Sequence, residues 1–377
     1  MVLLGFITAI LSIFLLFASS LADAFGIESL YVWTSWAGWC GTTAVLFLII
    51  GTAIVKALET HVPAILDKLT LPKHRPAAVS GEGFDHRRRR FLKHSLNAGL
   101  VAASGSLAFH GVSEGMSLPR VKETDIRIEH LPPDLEGFRI VQLTDLHINV
   151  GIRRKFVQDL VERINALSAD LIALTGDIVD GSCTEVGYDA APLAKLTARH
   201  GIFFVTGNHE YWHGAEEWIQ KMERMGFTVL MNDHRLIAHG NGLMLVGGVA
   251  DYSAPSRSSH ASSPAKAMGD GSAADVKILL AHQPQSIYEA ARAGFDLQLS
   301  GHTHGGQLGP FRWMSSLGQP FQSGLYRYEN TQIYVSNGAG LWGLPVRIGA
   351  PSEISLLILQ KSGRRQWGQS LNSELCC

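Results

Sequence analysis

The sequence predicts an α/β fold preceded by an N-terminal transmembrane helical region. Three observations carry this. Apolar segments with strand and helix periodicity alternate from residue 138 onward. Five short polar clusters each close one of the apolar strands. Three long uncharged runs precede residue 114. Composition agrees, because only 17% of the 377 residues are charged, against roughly 25% in ordinary soluble domains. A hydrophobic content of 46% excludes a disordered chain, and a net charge of -1 argues against a nucleic-acid partner. Four Cys exclude a disulfide scaffold.

Residues 1–113 form the predicted membrane region, with helices at about 2–22, 37–55 and 94–113. Each run suits the ~20 residues of a spanning helix. Tyr31, Trp33, Trp36 and Trp39 lie at their edges, as interfacial aromatic residues do. The basic loop 56–93 holds nine Lys or Arg against four Asp or Glu, a net of +5. The positive-inside rule places that loop in the cytoplasm. The expected topology is a multi-pass protein of the cytoplasmic membrane, with residues 114–377 on the periplasmic or extracellular side. Arg88-Arg89-Arg90-Phe91-Leu92-Lys93 resembles a twin-arginine export signal, here internal rather than N-terminal.

Residues 114–377 are expected to fold as one domain. Strands are predicted at 138–146, 170–179 and 201–210, with helices at 154–167, 192–198 and 215–226 between and after them. A strand-rich half follows and includes a tight Asn241-Gly242 turn. Residues 252–274 are rich in Ser, Ala, Pro and Gly and read as a long surface loop.

The polar clusters are Asp145-Leu146-His147, Gly176-Asp177, Gly207-Asn208-His209-Glu210, Ala281-His282-Gln283 and Gly301-His302-Thr303-His304. Ligands of open α/β sheets bind at the C-terminal ends of strands, where all five clusters stand. Two metal ions about 3.5–4 Å apart need several N and O donors with one carboxylate between them. Asp-x-His and His-x-His put two side chains on one side of an extended strand end. Carboxylate, imidazole and amide donors suit Mn, Fe or Zn.

These five blocks, present in order, resemble the calcineurin-like metallophosphoesterase superfamily. The resemblance implies a four-layer α/β/β/α sandwich and a phosphoric ester hydrolase that uses two divalent metal ions. Asp145, His147, Asp177 and His304 would bind one metal. Asp177, Asn208, His282 and His302 would bind the other, with Asp177 bridging and Asn208 also near substrate. A metal-bridged hydroxide would attack phosphorus, with His209 as general acid and Asp180 orienting it. Glu210 would support the loop.

The plan of membrane segments followed by this domain resembles bacterial membrane-anchored phosphodiesterases, including twin-arginine-exported members and UDP-2,3-diacylglucosamine pyrophosphatase-type enzymes. The expected activity is therefore cleavage of a phosphodiester or pyrophosphate bond, in a lipid-linked or cell-envelope substrate, at the membrane. A UDP-2,3-diacylglucosamine diphosphatase of lipid A synthesis is one alternative, although that substrate arises on the cytoplasmic side. A protein phosphatase or a non-catalytic membrane sensor is another. Asn337 and Arg347 are expected to help hold a phosphate. The apolar stretch Leu308, Phe311, Trp313, Met314, Leu317, Phe321, Leu325 should lie beside the site mouth, as core packing or as an acyl-chain surface.

Overall fold

The computed structural model describes residues 82–149, 151–254, 260–308, 319, 321–362 and a discontinuous set between 11 and 57. Most of the uncharged run 2–22, the basic residues 58–81, and Phe311, Trp313, Met314 and Leu317 lie outside the described residues. The chain divides into two compact units, Met1–Met116 with Gly343–Val346 and Ser117–Trp342 with Arg347–Cys377.

In the first unit, backbone at 40–53 is helical, and α1 (Glu82–Met116) runs for 35 residues. The basic segment is thus not a loop throughout: Arg87 to Lys93 belong to α1. The reason is local, since residues 84–98 contain no Gly or Pro and Arg, Lys and Leu are good helix formers. The run 94–113 forms the second half of the same helix. Among the described residues, no helix is long and apolar enough to cross a membrane. The expected spanning helix over 94–113 fails that test because the run lacks charge without being strongly apolar. Its Ala, Gly, Ser, His and Asn residues give little transfer energy.

The second unit is built on two six-stranded mixed sheets. The first contains β1 (Arg120–Ile128), β2 (Arg139–Leu143), β3 (Leu171–Thr175), β4 (Ile202–Val205), β5 (Thr228–Val229) and β12 (Glu353–Lys361), in the order β1-β12-β2-β3-β4-β5. The second contains β6 (Asp233–His239), β7 (Gly242–Gly248), β8 (Val276–Leu280), β9 (Leu297–Ser300), β10 (Gly324–Tyr328) and β11 (Thr331–Val335), in the order β10-β11-β9-β8-β7-β6. Pairings β2 to β5 are parallel, as are β7–β8–β9 and β9–β11.

Side-chain alternation explains the layers. Ile140, Leu171, Ala173, Phe203 and Val205 face Met244, Val246, Ile278 and Leu299 of the other sheet in one buried cluster. Their neighbours Val141, Ile172, Leu174 and Phe204 point the opposite way. They pack on α2 (Arg154–Asn165) through Val157, Leu160 and Ile164, and on α5 (Ala215–Arg224) through Trp218 and Met222. Between these helices in the chain lie α3 (Cys183–Ala190) and the short α4 (Asn208–Trp212). The outer face of the second sheet is covered by α6 (Pro264–Met268) and α7 (Ile287–Ala293), through Ala267, Met268 and Ala290 against Leu245, Leu279 and Phe295. The result is the four-layer α/β/β/α sandwich. Strands buried on both faces read as continuous apolar runs, which is why they were legible.

Part of the expected 252–274 surface loop is therefore core. Pro264, Ala267, Met268 and Ala274 are buried. Small side chains that look loop-like in sequence let α6 lie close to the sheet.

Candidate dimetal centre

Parallel strands bring their C-terminal ends to one edge of the sandwich. The loops after β2, β3, β4, β8 and β9 carry Asp145 and His147, Asp177 and Asp180, Asn208 and His209, His282, and His302 and His304. These residues come from segments far apart in sequence, yet their donor atoms converge. Nε2 of His147 lies 3.0 Å from Nε2 of His304. Nε2 of His304 lies 3.4 Å from Asp145 Oδ1, and Nε2 of His147 lies 3.9 Å from Asp177 Oδ2. On the other side, Asp177 Oδ2 lies 3.0 Å from His282 Nε2. His282 Nε2 in turn lies 3.2 Å from His302 Nδ1. Asp177 thus belongs to both groups.

The local backbone is bent to make this possible. Asp145, His147, Asp177, His302 and His304 all have φ between 48° and 70°, a left-handed region that costs a non-glycine residue about 1–2 kcal/mol. The loops also touch without side chains between them. A Cβ on Gly207 would overlap Asp177 Oδ1, and one on Gly301 would overlap Asp145 Oδ2. Glu210 is fully buried and ties two loops together. Its carboxylate accepts N–H bonds from Gly207 at 2.7 Å, Asp177 at 2.9 Å and Ile178 at 2.8 Å. Thr144 Oγ1 donates to Asp145 Oδ2 at 2.8 Å, a contact with no signal in the sequence.

Electrostatics suit cations. Burial pushes Asp145 up to about 6. Burial opposes ionisation of Asp177 too, but the adjoining His282 outweighs it and holds that carboxyl well below the usual range. His147 is pushed down to about 4 by burial, and His302 to about 3 by burial and His282, so both keep a free lone pair. His282 is the exception. Burial works against its charge, yet Asp177 and Asp145 hold it protonated well above the usual histidine range. Two buried carboxylates draw positive charge, and a proton on His282 answers that demand where a cation would. Its Nδ1 faces the Thr175 carbonyl at 2.9 Å, so Nδ1 keeps its hydrogen and the proton that a cation would displace is the one on Nε2. Asn208 Oδ1 is buried without a hydrogen-bond partner, as expected of an oxygen built to meet a metal. The residues present therefore fit two divalent cations.

His209 sits beside this centre on α4. Its Nε2 lies 3.9 Å from Asp177 Oδ2, while Nδ1 lies 2.9 Å from Asp180 Oδ1. Burial lowers the pKa of His209, but the Asp180 hydrogen bond and the carboxylates of Asp177 and Asp180 prevail and raise it. Trp212 is 64% exposed and its ring centre lies 4.3 Å from that of His209.

Residues 138–306 match the family described as Calcineurin-like phosphoesterase. An uncharacterized metallophosphoesterase of Helicobacter pylori (strain ATCC 700392 / 26695) is 40% identical over 278 residues, 73% of each chain. The chain belongs to the calcineurin-like metallophosphoesterases. This metallophosphoesterase is accordingly a metal-dependent phosphoester hydrolase. It is also 33% identical over 299 residues to the "Transmembrane protein with metallophosphoesterase domain" of Danio rerio, covering 74% of this chain and 68% of the other. With the uncharacterized metallophosphoesterase YkuE of Bacillus subtilis (strain 168) it shares 30% identity over 296 residues, 73% of this chain and 98% of the other.

Two expected phosphate contacts of the metallophosphoesterase turn out otherwise. Arg347 has 0% exposure. Its guanidinium donates to the carbonyls of Asn337 at 2.8 Å, Ala350 at 2.9 Å and Gly340 at 2.6 and 3.0 Å. It clamps the 337–350 loop, and its Nη2 stands 3.3 Å from His304 Nδ1, where its charge helps keep that buried imidazole neutral. Asn337 is also buried. Its Oδ1 accepts from Ser323 Oγ at 2.6 Å and its Nδ2 donates to the Pro351 carbonyl at 3.2 Å. Both are loop braces. Sequence alone does not separate a buried arginine from a phosphate-binding one. Of the apolar stretch after His304, Phe321 packs on Ile287, Ile333 and Val335, while Leu325 is exposed.

Proposed function

We propose that this enzyme hydrolyses a phosphodiester or diphosphate bond with His209 as the general acid. One observation carries the proposal: the donors grouped around Asp177 share an edge with a histidine whose Nε2 faces that carboxylate. When bound, the two cations stabilise charge on the phosphoryl oxygens and supply a nucleophile near neutral pH. Asp145, His147 and His304 would hold one ion, and His282, His302 and Asn208 the other, with Asp177 common to both. His209 gives its Nε2 proton to the departing oxygen. Asp180 accepts from Nδ1, which orients the ring and favours its charged form. Trp212 presents an exposed aromatic face beside the His209 ring. The test is turnover of bis(p-nitrophenyl) phosphate by the purified full chain, stripped with a chelator and then given Mn. Absence of Mn-dependent turnover, or turnover indifferent to both Asp177→Asn and His209→Ala, defeats the proposal.

A second proposal concerns place and substrate class. We infer that the enzyme is membrane-attached through the runs near its start and that it acts on a lipid-linked or envelope phosphoester; the side of the membrane on which its site lies follows from a reporter fusion. Support comes from the uncharged runs 2–22 and 37–55, the net +5 of residues 56–93, and the word "transmembrane" in the name of the Danio rerio relative. A reporter active only outside the cytoplasm, fused after Cys377, tests sidedness. Lipid extracts of a deletion strain test the substrate class, and unchanged lipids in such a strain would count against it.

A further inference from the structure

The chemistry around His209 does not end with Asp180. Asp180 Oδ1 also lies 3.1 Å from Nε2 of His213. His209 and His213 stand one helical turn apart, and the N–H of His213 bonds to the carbonyl of His209 at 3.1 Å. The segment reads His209-Glu210-Tyr211-Trp212-His213, the H-E-x-x-H spacing that puts two imidazoles on one helical face toward zinc. Here Glu210 turns away and accepts the backbone N–H groups of Gly207, Asp177 and Ile178. It therefore has no part as the base of a zinc peptidase. What remains is a cation site with Asp180 as third ligand.

We propose that Asp180, His209 and His213 form a third divalent-cation site, selective for zinc and inhibitory. One donor atom from each of the three lies within 4.8 Å of the others. The Asp180–His209 and Asp180–His213 edges measure 2.9 and 3.1 Å. A tetrahedral zinc with bonds of about 2.0–2.1 Å has ligand edges of about 3.3 Å, so both edges from Asp180 need to open by only a few tenths of an ångström. Two imidazoles and one carboxylate are a zinc donor set. The side chains of His213 and Asp180 are 31% and 25% exposed, which leaves an entry path and a fourth position for water.

Binding is a simple exchange. Zinc bonds to Nδ1 of His209, to Nε2 of His213 and to a carboxylate oxygen of Asp180. The hydrogen that His209 Nδ1 shares with Asp180 leaves to solvent, and the one that His213 Nε2 shares with Asp180 moves, by way of solvent, to Nδ1 of the same ring. With the cation on Nδ1, the ring can no longer become an imidazolium, and Nε2 stops cycling a proton to the leaving group. The inhibitory consequence rests on His209 being the general acid; the binding does not.

The experiment uses the full chain loaded with Mn and dialysed against zinc. The expected result is one further zinc equivalent with all Mn retained, together with loss of turnover on a diester with an alkyl leaving group. His213→Ala should raise the half-inhibitory zinc concentration by about tenfold or more, and so should His213→Gln, which keeps a donor for Asp180. Zinc uptake unchanged in both variants, or Mn released as zinc enters, overturns the site. Zinc bound through His213 with undiminished turnover overturns its inhibitory character. Absent Mn-dependent turnover would instead fault the hydrolase mechanism, while the dialysis still decides the zinc site.

Discussion

His209 Nδ1 lies 2.9 Å from Asp180 Oδ1. That one contact turns the other nitrogen of the ring toward Asp177 and the cluster around it, and it favours the charged form of the imidazole.

If His209 protonates the leaving oxygen, its removal matters most where the leaving group is poor. His209→Ala is expected to lower kcat/KM by about 10²–10⁴-fold for an alkyl diester and by far less for bis(p-nitrophenyl) phosphate. Steady-state rates on the two substrates give the ratio. Equal losses on both would show that His209 serves binding or folding instead.

Asp180 raises the pKa of His209 against the effect of burial. The carboxylate itself is brought down to about 2: burial opposes its ionisation, but the His209 hydrogen bond and nearby imidazoles win. Neutralising it removes the upward pull, so the pKa of His209 falls. A general acid must be protonated to act, so activity is lost as pH rises through that pKa. The alkaline limb of kcat in Asp180→Asn should therefore move to lower pH than in the parent enzyme. A pH profile with an alkyl diester decides this, and a shift in the opposite direction would contradict the assigned role.

The approach of the β4 loop to Asp177 leaves no room at Gly207. A methyl group there would overlap Asp177 Oδ1 and stand 2.6 Å from Asp177 N. Gly207→Ala is expected to weaken metal binding by about 10–100-fold while far-ultraviolet circular dichroism keeps its helix and strand signal. Metal content after dialysis against limiting Mn provides the measurement.

Arg347 is a brace, so its loss should show in stability. Arg347→Met leaves the carbonyls of Asn337, Gly340 and Ala350 buried without their donor, at about 1–3 kcal/mol for each left unpaired. Urea unfolding should shift by about 3 kcal/mol or more. Lys at this position should not restore it, because a point charge cannot reach carbonyls on several sides. A variant of unchanged stability with raised KM would return Arg347 to the phosphate site.

The candidate metal-binding side chains stood out because each cluster is local. A strand buried on both faces reads as an apolar run, and a polar triplet at its end stands out. Asp145, Asp177, Asn208, His282, His302 and His304 could all be named from that pattern with the family resemblance. β1 was not legible: Arg120–Ile128 is largely charged, and only pairing with Glu353–Lys361 makes it a strand. Nor was α6, whose Pro and Ala residues in a Ser-rich stretch look like a loop until Ala267 and Met268 meet Phe295. The spanning helix expected at 94–113 illustrates the converse, since absence of charge is a weaker property than hydrophobicity.

By itself the sequence determined the chemistry: which donors exist, in what order, and at the ends of which strands. Only the tertiary structure decided who meets whom. His282 reaches the Thr175 carbonyl across 107 residues of chain. His213 joins Asp180, and Arg347 faces loop carbonyls instead of phosphate, because sheet register and loop packing set those distances. Local periodicity reports the face a residue presents, whereas contacts between segments follow from how the two sheets and their parallel strands are laid side by side.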